Sequence, residues 1–139
     1  HTEADLVLWD PQERLLWLGG LAYAGRVPEL AQGRIDAWIE ALDRLAALAP
    51  RVVLGPALSR SEPPTGALPP ALTDTRAYLS DLRTAVFEAM DSGLQAHEAA
   101  TLELPAYRAW PGYAERHGFN AQRAWRELEP AWMDRAPAR

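Results

Sequence analysis

Cysteine is absent from the 139 residues, which excludes disulfides, thiolate metal ligands and a cysteine nucleophile, and removes the usual sequence clue to redox compartment. Cytoplasm and periplasm both stay open. Lysine is absent too: all 14 basic residues are arginine, scattered among 19 acids for a formal net charge of -5. An acidic chain without a basic cluster has no electrostatic footing on a phosphate backbone, so nucleic acid is not an expected partner. No apolar run approaches the roughly 20 residues of a membrane span, and no leader pattern opens the chain. A G-x-S-x-G elbow is also missing, and Ser59 and Ser61 have no histidine close in sequence, which leaves no triad to propose. Gly19-Gly20 lacks the spacing of a phosphate or dinucleotide loop and reads as a tight backbone turn.

What is present argues for a folded domain. Hydrophobic residues make up 48% of the chain, including six Trp, while 12 Pro and nine Gly punctuate it with turns. That size and apolar content suit one domain spanning 1–139. The sequence begins at His1, already on the approach to a strand, and so reads as part of something longer.

Leu6-Val7-Leu8-Trp9 and Leu15-Leu16-Trp17-Leu18 are short apolar runs separated by Asp10-Pro11-Gln12-Glu13, a turn signal, and together predict a β-hairpin. Because neither run alternates, both strands are expected to be covered on both faces, inside the domain. Apolar positions Ile35, Trp38, Ile39, Leu42 and Leu45 at helical spacing predict an amphipathic helix over 33–49, with Glu40 and Arg44 spaced as an i,i+4 pair and Pro50 as the stop. A third strand at 51–54 makes a strand-helix-strand crossover onto one parallel pair. Residues 1–57 thus form a hairpin, a helix and a strand.

Residues 58–70 lie in a Pro-rich stretch that reads as a long irregular loop. The region 71–139 is expected to be helical: a long helix between Pro69-Pro70 and Gly93, a short helix within 94–104, and a last helix capped by Asn120 and carrying Trp125, Leu128 and Trp132. Tyr107, Trp110, Tyr113, Trp125 and Trp132 are assigned to core packing over a ligand groove. His97 and Glu98 are neighbours and do not share a helix face, and His117 beside Gly118 reads as a helix-end residue favoured by the dipole.

The run His1-Thr2-Glu3-Ala4-Asp5-Leu6-Val7-Leu8-Trp9 resembles the stretch of metallo-β-lactamase-fold hydrolases in which a His-Thr turn feeds an H-T-P-G-D-L-V-V type strand. Order reinforces the likeness: Leu18-Gly19-Gly20-Leu21-Ala22-Tyr23 stands where the family has an apolar pair, Gly-Asp and an apolar tail. Val52-Val53-Leu54-Gly55-Pro56-Ala57 stands where it has a strand ending in Pro-Gly-His-Gly. The carboxyl region is similar to that of quinoprotein-relay type zinc metallohydrolases. The resemblance covers only about the carboxyl half of the family's domain, without its H-x-H-x-D-H motif. It implies an α/β fold that is half of an αββα sandwich, a small mixed sheet of three or four strands with flanking helices.

By that resemblance His1 matches a zinc ligand, Gly20 takes the place of the metal-bridging Asp, and Pro56 replaces the final His. Glycine offers no side-chain donor and proline not even a backbone N–H. The expectation is therefore a non-catalytic domain with no catalytic or cofactor-binding residues, His1 as a vestigial metal ligand, and a role in binding or assembly. A lone half leaves an apolar sheet face in water, so the expected partner is a second copy, as a homodimer, or a separate amino-terminal half. The alternative is a fragment of a zinc-dependent hydrolase whose H-x-H-x-D-H half lies outside this chain. A helical adaptor with no ancestral site is a third reading.

Overall fold

The computed structural model describes residues 4–55, 58–61, 63 and 66–135, with the backbone alone for 58–61. His1 and Pro56 lie outside the described residues. Its frame is a mixed four-stranded sheet in the order β1-β2-β3-β4, with helices packed against it.

Strands β1 (Val7–Asp10) and β2 (Leu15–Leu18) form the expected hairpin. Asp10 Oδ1 closes its turn by accepting the N–H groups of Gln12 at 2.9 Å and Glu13 at 3.1 Å, the local side-chain bond for which Asp is suited. Arg14 leaves the turn at φ 51°, and its carbonyl accepts the N–H of Arg51 at 2.7 Å. That bond ties the turn to the start of β3 (Val52–Gly55), which runs parallel to β2 after the crossover helix α1 (Ile35–Ala47). Ala49, at φ 51°, is the left-handed residue that stops α1, one position before Pro50.

Two expectations about this half change. The stretch read as pure loop contains a fourth strand, β4 (Leu58–Ser61), antiparallel to β3; its prolines flank the strand instead of interrupting it. The hairpin is also not interior. Leu8 is 70% exposed and Trp17 52%, because β1 is an edge strand and the helices cover one face of the sheet. Unbroken apolar runs report two apolar faces, and only one of them is covered.

On the covered face Leu16, Leu18 and Val53 join Trp38 and Leu42 of α1 and Tyr78 and Leu82 of α2 (Pro70–Asp91) in one core. Each fully buried Leu contributes about 1.5–3 kcal/mol. Trp38 sits at the centre, with Nε1 donating to the Leu21 carbonyl at 2.9 Å. Thr75 of α2 accepts the Tyr23 N–H at 2.7 Å while buried, which fastens the loop after β2. Asp36 and Asp43 of α1 reach Arg83 and Arg76 of α2. Those exposed pairs replace the expected Glu40–Arg44 contact and stabilise little.

The carboxyl half holds short 3-10 helices at Ala96–Thr101 and Pro105–Tyr107 and then α3 (Tyr113–Arg135). The last helix thus starts seven residues before Asn120, which lies inside it. Gly118 suggested a helix end; it lies inside α3, facing Ala100, where an added Cβ would make an ordinary contact of 3.4 Å with the carbonyl oxygen. From α3, Glu127 accepts the Ile35 N–H at 2.7 Å and so supplies the N-terminal cap that Arg34 lacks. No helix among the described residues is long and apolar enough to cross a membrane.

Candidate functional site

Of the positions that the resemblance assigns to zinc, Gly20 alone is among the described residues. Gly20 sits in the turn after β2 and presents no donor, while His1 and Pro56 fall outside the described residues. Among those residues no three His, Asp or Glu side chains are grouped to hold a metal ion. His97 is exposed on the first 3-10 helix, and Glu98 is spent in a capping box, accepting the Gln95 N–H at 2.8 Å.

His117 is different from its expected role. It is buried at 3% exposure within α3, its Nε2 2.8 Å from the Leu102 carbonyl and its Nδ1 2.9 Å from the Tyr78 hydroxyl. A carbonyl only accepts, so Nε2 carries the proton and Nδ1 accepts from Tyr78. The Tyr78 oxygen in turn accepts from Asn120 Nδ2 at 3.1 Å. Asn120 also donates to the Pro28 carbonyl at 2.8 Å and accepts the Leu30 N–H at 2.9 Å. Every member is satisfied, and the network binds the 27–30 loop, α2, α3 and the 102–104 segment together. Burial pushes the His117 pKa down, against smaller opposing effects of the Leu102 hydrogen bond and Glu103, and burial raises that of Tyr78. Tyr113 stacks on the imidazole at 4.4 Å. Such a closed network presents no group to a substrate; its role is to hold the helices in place.

The aromatic residues divide as packing requires. Tyr107 and Trp125 are buried, and Trp110, Tyr113 and Trp132 lie half-buried against the same core. Tyr107 meets Tyr78 edge-on at 5.3 Å and donates to Asp81.

The surface that stands out is the uncovered side of the sheet. Leu8 pairs directly with Trp17 across β1 and β2, and Trp17 pairs with Leu54 across β2 and β3. Facing residues of paired strands share a face, so Leu8, Trp17 and Leu54 form an apolar row across three strands. Leu6, two positions before Leu8, is 91% exposed. The second row, Asp10, Leu15 and Val52, is not open: Val52 is 1% exposed and Leu15 half-buried, so the bare part of this face is the end at Leu8 and Trp17. Leu6, Leu8 and Trp17 are the large apolar side chains exposed here, with Leu54 half-buried beside them, and a cluster of exposed apolar side chains marks an interaction surface.

A groove of about 540 Å³ lies on the other side of β1, between that edge strand and α1. Arg34 and Arg44 stand among its lining residues with Ala37 and Ala41 between them along the helix. Their i, i+3, i+7, i+10 spacing is visible in the sequence and marks one face of α1 that turns away from the core.

No protein-family model matches the chain, and no curated protein matches it.

Proposed function

We propose that this chain is a non-catalytic, metallo-β-lactamase-like half-domain that acts by assembly through the open face of its sheet. The observation that carries the reading is the exposed Leu8–Trp17 pair, set in an apolar face with helices on its opposite side. Helices on one side and a bare apolar sheet on the other is what half of an αββα sandwich has, because the second sheet supplies the missing cover at a spacing of about 10 Å. Covering each large side chain returns roughly 1.5–3 kcal/mol, so a few of them supply enough to offset part of the cost of association. The partner that needs no further component is a second copy, two open faces meeting about a twofold axis as a homodimer.

The resemblance to zinc hydrolases does not extend to their chemistry here, since the position of the bridging carboxylate is Gly20. Light scattering on the purified chain at micromolar concentration, with an environment-sensitive apolar dye as a second probe, tests the reading. A dimer with little dye binding is expected. A monomer with little dye binding contradicts assembly, and stoichiometric zinc with hydrolysis of a thioester or lactone contradicts the non-catalytic part.

A further inference from the structure

We infer that the groove between β1 and α1 is a docking site for an extended polypeptide segment of another protein, one with carboxylates flanking an apolar residue, which adds as a strand to β1. This surface is distinct from the open sheet face, and the inference stands whichever partner covers that face.

Three observations carry it. β1 is an outer strand of the sheet, so alternate residues turn backbone N–H and C=O groups away from β2, with no strand among the described residues to receive them. Within Val7-Leu8-Trp9 there is neither Pro nor a charge to discourage pairing. Ala37 and Ala41 of α1 line the groove together with Val7 of β1, so the groove opens beside the edge strand on the helix side of the sheet. Last, Arg34 and Arg44 line the same groove, and neither guanidinium has an ion-pair or hydrogen-bond partner among the described residues. Among the described lining residues Asp5 is the one acid, against two arginines.

Charge and length select the occupant. Ten helical residues at about 1.5 Å each set the two arginines roughly 15 Å apart along α1. A strand rises about 3.3 Å per residue, so carboxylates four or five positions apart span them, with the apolar residue between them on the same side, over Ala37 and Ala41. Strand addition uses the backbone for affinity and alternate side chains for specificity. A second copy pairing β1 with β1 would bring its own α1 to the same side of the sheet and set arginines against arginines. Like charges disfavour that arrangement, and the occupant is a different segment.

The test uses the full chain and a capped, labelled peptide, Thr-Glu-Thr-Val-Thr-Glu-Thr, beside a control in which both Glu are Lys. The Glu peptide is expected to bind at least about tenfold more tightly than the Lys peptide, weakening as salt screens the pairs. Exchange of the β1 amides, Val7 to Asp10, should slow on binding. The exposed double variant R34E/R44E should keep its circular dichroism and reverse the preference. Absence of saturable binding, equal binding of both peptides, or protection confined to another segment overturns the inference. Leu8→Thr/Trp17→Thr, made to disable the open face, should still bind the Glu peptide, which separates failure here from failure of the assembly reading.

Discussion

Leu8 and Trp17 stand opposite each other across the first two strands, and both are more exposed than buried, at 70% and 52%. Their side chains contribute little to the fold of the single chain. The double variant Leu8→Thr/Trp17→Thr is expected to leave the monomer's thermal midpoint nearly unchanged, because surface positions usually move stability by no more than about 0.5 kcal/mol and Thr keeps the strand preference. Loss of the circular dichroism spectrum would show that the pair is part of the core.

Asn120 joins three partners in the interior, the Leu30 N–H, the Pro28 carbonyl and the Tyr78 hydroxyl. Replacing it by Ala strands the Leu30 N–H and the Pro28 carbonyl, each costing about 1–3 kcal/mol. Asn120→Ala is expected to lower stability by about 2–4 kcal/mol in a urea titration. A loss below about 0.5 kcal/mol would mean that the network is not maintained in solution.

His117 makes stability depend on pH. Its pKa is depressed in the folded chain, so the unfolded chain takes up the proton first as pH falls. The stabilisation is complete above the ordinary histidine value of about 6.5 and is lost as pH falls from there toward the folded pKa. Protonation also places a hydrogen on Nδ1 against the Tyr78 hydroxyl, whose oxygen already accepts from Asn120. The difference in unfolding free energy between the native chain and His117→Gln should therefore shrink as pH drops below about 6.5. A difference that stays constant from neutral to acidic pH contradicts this.

Gly55 ends β3 against the backbone of the loop after β2, where a Cβ would collide with the Leu18 carbonyl. Backbone cannot swing aside as a side-chain tip can. Gly55→Ala is expected to cost about 1–3 kcal/mol, read as a lowered midpoint of thermal unfolding. Gly19→Ala, with nothing within 4 Å of the added Cβ, is the control that should cost far less.

The elements with strong local punctuation were legible in the sequence. Asp10-Pro11 announced the hairpin, the spacing from Ile35 to Leu45 announced α1, and Pro69-Pro70 with Gly93 bracketed α2 to within a few residues. Tertiary demands hid the rest. Gly118 has the look of a helix stop, yet α3 runs through it, so the sequence pattern starts the helix about two turns late and sets Asn120 at its cap. The partnership of Tyr78, His117 and Asn120 joins residues about 40 positions apart, and no local pattern encodes it. For the candidate site, the apolar character of β1 and β2 was plain, but which face would be bare depends on where the helices pack. The arginines of the groove were visible as a spacing; their shared wall with Val7 was not.

The most direct test of the central claim is the molar mass in solution, by light scattering, of the native chain and of Leu8→Thr/Trp17→Thr at the same tens of micromolar concentration. The account predicts a dimer for the native chain and a folded monomer for the variant. A native chain that stays monomeric with little affinity for apolar dye, or a variant that dimerises as the native chain does, would contradict it.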